Sequence, residues 1–424
     1  MLADSLTRQG YRVVEFGMET DLLVLNTCSV TEHAEKDCRY AIRKTLRHSP
    51  HAFVAVTGCY AQTGAAQLQT VPGIDLIVGT QYKMHLPDYL PAPDKLRKQA
   101  EPELRHSRTI DREDFVLPGT AYSDSTRALL KIQDGCDFMC SFCLIPFARG
   151  RERSRVAADV LREARELAGH GYKELVLTGV NIGRYAHNGM ELVDLIRDIE
   201  AIPEVVRIRI SSIEPTTVPT ELLRHMAVST KLCRYLHMPL QSGDDHILDA
   251  MNRRYSVRDY EALVDQAFGL MPDLGLGTDL MVGFPGENEQ AFANSLRTAE
   301  RLPFSYCHVF SYSSRPGTAA ARLEDQISPA TIRQRSKTLA ELSRRKALAF
   351  YQRHIGRTES VLFEQGERDG CRTGTTGNFT RVAVPAEAAE AGSIHNVTIT
   401  GVMDGLANGH LAVPSAVTSR RPLL

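Results

Sequence analysis

Three closely spaced cysteines are the residues of this chain best suited to chemistry. Cys136, Cys140 and Cys143 stand at the spacing C-x3-C-x2-C, which lets three thiolates from one loop converge on a single iron–sulfur cube. No fourth cysteine belongs to the run, so one iron would lack a protein ligand and could bind a small molecule. The loop follows a strand predicted over residues 128–133, at a C-terminal strand end, where parallel barrels place their active sites. The alternatives are a zinc site, which normally has four ligands, or three unrelated buried cysteines.

A second pair of cysteines follows two apolar runs near the N-terminus. Cys28 comes after residues 21–26 and Cys59 after residues 52–58, and both runs are typical of buried parallel strands. The C-terminal ends of neighbouring parallel strands meet at one edge of a sheet, so the two thiols could face each other there. On this pattern alone, small buried residues are the more ordinary interpretation. The other cysteines match no ligand position and are predicted to pack in cores: Cys38, Cys233, Cys307 and Cys371.

The densest basic run directly follows the cysteine loop and could bind RNA. Its guanidinium groups could grip phosphates near a reactive centre, although a solvated charged loop is the alternative. The run consists of Arg149, Arg151, Arg153 and Arg155. Residues 356–424, in contrast, contain six Lys plus Arg and seven Asp plus Glu, so their charge does not point to RNA. Phe379 is a candidate there for stacking on a base.

Composition excludes several classes of protein. Hydrophobic residues make up 43% and charged residues 24% of the 424 positions, an ordinary globular balance. The net charge of −1 gives no overall attraction to nucleic acid, so any RNA contact must use local patches. No run reaches the ~18 apolar residues of a membrane helix, and the N-terminus lacks the pattern of a signal peptide. We therefore expect a cytoplasmic protein without membrane contact, in which grouped cysteines are ligands rather than disulfides.

The order of the predicted elements indicates an α/β protein with three parts. Residues 1–92 alternate short apolar runs with helical patterns, which predicts a parallel-sheet α/β domain. Residues 93–124 are polar and are predicted to be a linker. Residues 125–355 contain six strand–helix units, which predicts a parallel (βα)6 barrel, complete or partial. Residues 356–424 show short β runs separated by glycine, which is typical of a small β-barrel.

The sequence around the three cysteines resembles the signature of the radical S-adenosylmethionine (SAM) superfamily, with Phe142 just before the third cysteine. Other segments are similar to the methylthiotransferases of that superfamily: LNTCSVTEHAEKDCR (25–39), TGCYAQ (57–62), IQDGCDFMCSFCLIPFARGRERSR (132–155), HMPLQSGDDHILDAMNRRY (237–255) and DLMVGFPGE (279–287). The resemblance runs nearly end to end, and the C-terminal barrel resembles the RNA-binding TRAM domain of that family. RIRISSIEP (207–215) and VFSYSSRPGTAAA (309–321) look most like the branch that acts on N6-threonylcarbamoyladenosine at position 37 of tRNA.

The resemblance implies roles that the pattern leaves open. In the superfamily, the iron without a protein ligand chelates SAM, and the aromatic position, here Phe142, lies by its adenine. Gly179 and Asn181 end the second barrel strand, where family analogy places the amino group of SAM. Strand-end capping and turn formation are the alternative roles for three polar residues that could line the cofactor pocket: Glu214, Gln241 and Asp279.

The resemblance also implies a second cluster and a reaction. Family members hold a second [4Fe–4S] cluster with three cysteines of the N-terminal domain, and Cys28 and Cys59 match two of them. One SAM methylates a sulfur carried there, and a second yields the radical that takes the hydrogen from C2 of the adenine. The implied partners are tRNA, an electron-donor protein and a sulfur source. The alternatives are isopentenyl-adenosine or a ribosomal-protein aspartate as substrate, radical chemistry of another kind, or a non-enzymatic iron–sulfur protein that binds RNA.

The family pattern raises one further expectation, about the N-terminus. The family's domain begins with a strand that ends in the first of the three cysteines, followed by a helix. Here residues 1–10 are typical of the end of that helix, closed by Gly10, and residues 11–16 of the next strand. Cys38 is no substitute, because it lies about ten residues, or ~15 Å, along a predicted helix. We therefore expect this chain, as written, to cleave SAM but to hold the second cluster poorly and transfer little or no sulfur, as a start codon placed too late would explain. The alternative is a true departure from the family pattern, in which a small thiol or water completes the site.

Overall fold

The structure is a computed structural model that describes residues 2–28, 32–111, 115 and 125–412. The segment predicted as a linker therefore lies partly outside the described residues, as does the end of the C-terminal barrel. None of the helices among the described residues is long and apolar enough to cross a membrane.

The N-terminal part is a four-stranded parallel sheet whose strands are neighbours in chain order. Its strands are β1 (Leu22–Thr27), β2 (Phe53–Gly58), β3 (Leu76–Val78) and β4 (Glu103–Arg105). Its helices are α1 (Leu2–Arg8), α2 (Glu32–His48), α3 (Cys59–Thr63), α4 (Ala65–Gln69) and α5 (Leu86–Tyr89). Every residue of β2 is buried, because apolar clusters cover both faces of the sheet. The predicted parallel-sheet domain is confirmed.

Two details of this part differ from the sequence prediction. Residues 11–16 were predicted as a strand but form none; Val13 is 63% and Phe16 56% exposed. Local β propensity does not suffice, since a strand also needs a ladder partner, and within the described part of the chain β1 pairs with β2 alone. Conversely, β4 lies within the predicted linker. Its three residues are exposed and show no apolar alternation, so only backbone pairing with β3 reveals the strand.

The central part alternates strands and helices around six parallel strands. The strands are β5 (Ala128–Lys131), β6 (Gln133–Asp134), β7 (Arg153–Ser154), β8 (Glu174–Thr178), β9 (Ala186–His187), β10 (Met190–Glu191), β11 (Arg207–Ile210), β12 (Tyr235–His237), β13 (Gly275–Val282) and β14 (Tyr306–Ser311). The helices are α6 (Ile145–Ala148), α7 (Ala157–Gly169), α8 (Leu192–Glu200), α9 (Thr220–Val228), α10 (Asp245–Ala250), α11 (Val257–Leu270), α12 (Glu289–Arg301) and α13 (Pro329–Gln352).

These strands form a partial barrel of two half-sheets. One half has the order β5-β8-β11 and the other β12-β13-β14, and a parallel bridge between Ile208 and Leu232 joins them. Successive side chains of a strand point to opposite faces. Accordingly, Leu236 and Leu280 are buried in the core beneath the helices, whereas Tyr235, His237 and Asp279 contact groups inside the barrel, which we call the lumen. The predicted (βα)6 architecture is thus confirmed in its partial form.

The C-terminal part is a closed five-stranded barrel of order β15-β16-β17-β19-β18. Its strands are β15 (Thr358–Phe363), β16 (Cys371–Thr376), β17 (Arg381–Pro385), β18 (Ile394–Met403) and β19 (Leu406–Leu411). It packs against the N-terminal ends of the central strands, where Gly275 approaches the Asn378 carbonyl so closely that a Cβ would lie 1.9 Å from its oxygen. Phe379 stacks on Tyr235 with ring centroids 4.5 Å apart. The proposed base-stacking role of Phe379 is therefore not available in this arrangement, because the ring is part of the domain interface.

Candidate active site

The three-cysteine loop lies at the C-terminal ends of the barrel strands, between β6 and α6. Backbone amides support two of its sulfurs: the Phe138 N–H donates to Cys136 Sγ and the Ile145 N–H to Cys143 Sγ, both at 3.4 Å. The Cys143 N–H also donates to the Cys140 carbonyl at 3.0 Å, which folds the loop back on itself. Burial raises the pKa of Cys143 to about 12 and also raises that of Cys136. A thiolate in this loop therefore needs a positive partner, which a metal supplies.

The cysteine loop suits a cluster better than a single ion. Across the described residues, no three Cys, His, Asp or Glu side chains converge on one ion position. The thiolates of a cubane bind different irons, so they need not approach one another as the four ligands of a zinc ion must. The loop supplies three thiols, whereas a structural zinc ion normally has four ligands, so the loop fits a cluster with one open iron better than zinc.

An arginine that the sequence pattern did not single out contacts the sulfur of Cys140. The Arg253 Nη1 group donates to Cys140 Sγ at 3.3 Å, and its Nη2 group donates to both carboxylate oxygens of Glu214 at 2.6 Å. Arg253 also donates from Nε to the Tyr255 hydroxyl at 3.2 Å, and its side chain is only 5% exposed. Glu214, predicted to line the cofactor pocket, thus lies at the loop but is held by Arg253. The only sequence signal was the position of Arg253 in the MNRRY segment.

The turn after β8 is fixed from β6. The Gln133 side-chain oxygen accepts hydrogen bonds from the backbone N–H groups of Val180 and Asn181, both at 2.9 Å. The Asn181 side-chain oxygen accepts from the Thr217 hydroxyl at 3.0 Å. A Cβ on Gly179 would lie 2.7 Å from Ile182, so the turn needs a small residue there. Gly179 and Asn181 therefore form a rigid turn at the same end of the barrel as the cysteine loop.

Two further residues predicted to bind the cofactor, Phe142 and Gln241, have surroundings that suit a ligand pocket. Phe142 packs edge-on against Phe284, with ring centroids 6.4 Å apart, in an apolar cluster beside the loop. Gln241 has a left-handed backbone, with φ of +66°, and is 8% exposed. Its side-chain oxygen has no hydrogen-bond partner among the described residues. A strained, buried residue with an unsatisfied polar atom is typical of a ligand site, and so fits a polar cofactor bound over the loop.

Asp279 lies deeper in the lumen than the cofactor-pocket prediction implied. Its Oδ1 atom accepts hydrogen bonds from His237 Nε2 at 3.1 Å and His308 Nδ1 at 3.2 Å. Burial opposes its charge, but hydrogen bonds from His237 and His308 hold its pKa below the ordinary value. Asp279 is therefore a carboxylate that fixes two imidazoles.

The four arginines after the loop serve mainly internal contacts. Arg155 is 3% exposed and pairs with Glu163, so it cannot reach an RNA phosphate. Arg153 Nη2 and Arg149 Nη1 both donate to Asp134, at 3.2 and 3.4 Å. Arg151 is half exposed and lies 3.9 Å from Asp137, so it is the member of the run that remains open to RNA. The sequence showed four consecutive odd-numbered arginines but not the buried carboxylates that face three of them.

The N-terminal cysteines lie where strand pairing brings them together. Thr27 and Gly58 form the last pair of the β1–β2 ladder, so Cys28 and Cys59 both directly follow paired residues at the same sheet edge. Cys59 is buried at the start of α3, and Cys28 is exposed. Arg149 Nε donates to Cys59 Sγ at 3.4 Å, which links this edge to the segment after the three-cysteine loop. Beside this contact lies a cavity that is lined by residues of both the N-terminal and the central part. Its lining includes Cys59, Lys83, Lys131, Asp134 and Arg149.

Comparisons with known proteins agree with this architecture. Residues 130–299 match the Radical SAM superfamily, and residues 1–79 match a family described as Uncharacterized protein family UPF0004. The chain is similar to the threonylcarbamoyladenosine tRNA methylthiotransferase MtaB of Bacillus subtilis (strain 168), with 35% identity over 92% of this chain and 88% of the relative.

Two other matches extend the comparison. The tRNA-2-methylthio-N(6)-dimethylallyladenosine synthase of Syntrophus aciditrophicus (strain SB) is 34% identical over 89% of this chain and 82% of its own length. Among solved structures, the fold is similar to that of the radical S-adenosylmethionine methyltransferase TsrM from Kitasatospora setae, at a TM-score of 0.52 and 15% identity over 86% of this chain and 70% of TsrM. At the identity and coverage of its curated relatives, the chain belongs to the tRNA methylthiotransferase family of radical SAM enzymes.

Proposed function

We propose that this protein replaces the C2 hydrogen of N6-threonylcarbamoyladenosine at position 37 of tRNA by a methylthio group. The observation that carries the proposal is that the N-terminal sheet end with Cys59 is hydrogen-bonded to Arg149, which follows the three-cysteine loop by six residues. The three-cysteine loop lies at the C-terminal ends of the barrel strands, and Cys28 and Cys59 lie at the end of the N-terminal sheet. The bond from Arg149 to Cys59 ties the two parts together at this point. The substrate follows from the relatives named for threonylcarbamoyladenosine.

In this proposal Cys136, Cys140 and Cys143 hold a [4Fe–4S] cluster that also binds SAM. When bound, the cluster supplies the electron that cleaves SAM to methionine and a 5′-deoxyadenosyl radical. Phe142 and Phe284 give the cofactor an apolar wall that excludes water. The Gln241 side-chain oxygen accepts a hydrogen bond from an N–H or O–H group of SAM. Gln133 holds the Gly179–Asn181 turn rigid beside the cofactor. Arg253 keeps Cys140 in position through its bond to the sulfur.

Cys28 and Cys59 are the proposed ligands of a second cluster, the carrier of the sulfur. Cys38 cannot join them, because it is buried among apolar residues of α2 and the sheet, and burial raises its pKa to about 11. An external sulfur source and an electron-donor protein are the further proposed partners. We also propose a cytoplasmic location, which a tRNA substrate supports.

Two experiments test the proposal. Under anaerobic, reducing conditions, Cys140→Ala should abolish the formation of 5′-deoxyadenosine, while Cys371→Ala, which changes a cysteine of the terminal barrel, should leave it intact. Mass spectrometry of tRNA nucleosides from cells with and without this gene should show methylthio-N6-threonylcarbamoyladenosine only in its presence. Undiminished cleavage by Cys140→Ala would refute the assignment of the cysteine loop.

A second candidate substrate is isopentenyl-adenosine in tRNA. The observation that favours it is the Syntrophus relative, which is named for dimethylallyladenosine and is nearly as similar as the others. The same nucleoside analysis decides between the two, because methylthio-isopentenyl-adenosine as the only gene-dependent product would overturn the threonylcarbamoyladenosine assignment.

A further inference from the structure

The imidazole of His308 lies in the lumen with most of its side chain exposed. On β14, Tyr306, His308 and Phe310 point to the lumen, because side chains two residues apart share a face. Phe310 belongs to the apolar cluster that contains Phe142 of the cysteine loop. Tyr306 approaches Phe379 of the terminal barrel, with ring centroids 6.0 Å apart. His308 therefore lies between the cofactor end and the closed end of the lumen.

A hydrogen bond at one ring nitrogen, Nδ1, fixes the orientation of His308. Its Nδ1 group donates to Asp279 Oδ1 at 3.2 Å, and the same oxygen accepts from His237 Nε2 at 3.1 Å. His237 is bonded in turn to the Tyr306 hydroxyl through Nδ1 at 3.1 Å. The side chain of His308 is nevertheless 70% exposed, whereas that of Asp279 is 22% exposed. The bond to Asp279 leaves Nε2, across the ring, directed to the open lumen.

The chemistry of His308, held by Asp279, suits the binding of an anion. Nδ1–H donates to Asp279, and an imidazolium ring in this position also donates from Nε2, the nitrogen that faces the lumen. The N6-threonylcarbamoyl substituent carries a carboxylate, while unmodified adenosine and isopentenyl-adenosine carry none. A charge-assisted hydrogen bond to this carboxylate would therefore separate the substrate from its uncharged analogues.

We infer that His308, held by Asp279, binds the carboxylate of the N6-threonylcarbamoyl group and selects the substrate. The inference rests on the proposed function and adds a specificity-determining residue to it. The expected effect lies in substrate binding, since His308 does not contact the cysteine loop. Removing one charge-assisted hydrogen bond should weaken the binding of this substrate by about tenfold or more.

The test measures tRNA binding in the reconstituted enzyme without turnover. One tRNA is prepared with N6-threonylcarbamoyladenosine at position 37 and, as its partner, with unmodified adenosine there. The wild type should bind the modified tRNA about tenfold more tightly or better, and His308→Phe should reduce this preference to less than about threefold. His308→Gln, which keeps a polar side chain of similar length but no charge, should lose the preference as well.

Controls distinguish a loss of substrate preference from misfolding of the variants. His170→Phe, at the residue that follows the outer helix α7, should keep the wild-type preference. The His308 variants should retain the far-ultraviolet circular dichroism and the reconstituted iron content of the wild type. If His308→Phe fails this folding check, His308→Gln decides. A wild type without preference, or a His308 variant that retains it, would overturn the inference. Failure of the proposed function is a separate result: tRNA nucleosides that show no gene-dependent methylthio product in cells with and without this gene.

Discussion

At the residue scale, the reactive groups were visible in the sequence but several of their partners were not. The spacing of Cys136, Cys140 and Cys143 predicted a shared loop, because short spacing keeps residues close in any fold. Glu214 and Arg253 are 39 positions apart, and only the fold brings them into an ion pair at the loop. The burial of Arg155 likewise depends on Glu163 in α7, a helix that the charge run does not reveal.

The contact between Arg253 and Cys140 predicts a change in redox potential. A guanidinium hydrogen bond to a ligand sulfur stabilises the more negative, reduced cluster. Arg253→Gln should therefore lower the reduction potential of the reconstituted cluster by about 60 mV, the equivalent of one charge-assisted bond. A redox titration followed by electron paramagnetic resonance measures this.

The neighbouring arginine supplies the matched control for Arg253→Gln. Arg254 is exposed and lies over the Phe138 ring, 4.4 Å from its centroid. Arg254→Gln should leave the potential within about 15 mV of the wild type, because its charge is screened by solvent. Equal potentials in the Arg253 variant and the wild type would contradict a tuning role for Arg253.

At the scale of elements, buried parallel strands were predictable and exposed ones were not. The LVL triplet predicts a strand over residues 174–178, the bounds that β8 has, and residues 276–282, which end in LMV, predict β13 to within one residue. The exposed β4 has no such signal. Residues 11–16 had the signal without a ladder partner, so they form no strand. Apolar patterning thus reports burial, and it identifies a strand only where burial and pairing coincide.

The turn from β2 into α3 predicts a stability effect at Gly58. Gly58 has φ of +100°, and a Cβ there would lie 2.4 Å from the Thr27 backbone oxygen on β1. Gly58→Ala should therefore lower the free energy of unfolding of the N-terminal part by about 3 kcal/mol or more, through strain and clash together. Urea unfolding measures it, and reconstituted iron content shows whether the edge that carries Cys59 is disturbed.

A second glycine separates the two causes at Gly58. Gly10 has a similar φ of +93° but no atom within 4 Å of a built Cβ. Gly10→Ala should cost only the backbone strain, about 1 kcal/mol. If the two variants were equally destabilised, the close approach of β1 and β2 at Gly58 would have no energetic weight.

At the scale of the whole molecule, the central barrel is closed at one end and reactive at the other. The terminal barrel covers the N-terminal strand ends, and the cysteine loop and N-terminal sheet face the C-terminal ends. The interface with the terminal barrel depends on arginines of β11: Arg209 donates to the Thr376 carbonyl at 2.9 Å, and Arg207 donates to the Ser360 carbonyl at 3.0 Å. Sequence similarity gave the parts, but their docking depends on side chains that no local pattern singles out.

Glu174 is the carboxylate that holds this docking together. Its side chain is fully buried at the start of β8, with Arg209 Nε at 2.7 Å, Arg207 Nη1 at 3.4 Å and Arg127 Nε at 3.6 Å. Burial alone would raise the pKa of Glu174, but Arg209, Arg207 and Arg127 together hold it below the ordinary value. Each of these arginines also donates a hydrogen bond to the terminal barrel. The charge of Glu174 therefore positions the guanidinium groups that bind the terminal barrel.

Replacing Glu174 should therefore destabilise the protein in a pH-dependent way. Glu174→Gln leaves buried arginines without their counter-charge and should cost about 3 kcal/mol at pH 7. Because the folded pKa lies below the unfolded one, the stabilisation by Glu174 is present above the ordinary pKa of about 4.3 and is lost as pH falls through the folded value. The free energies of unfolding of the wild type and the variant, measured in urea, should thus differ by the same amount at pH 7 and pH 5.5 and converge below about pH 4.

The control is Glu166→Gln, which removes a surface pair with Arg162 and should change the free energy of unfolding by less than about 0.5 kcal/mol. A Glu174 variant as stable as the wild type at pH 7, or a difference that persists undiminished to pH 3, would show that this carboxylate does not hold the two barrels together.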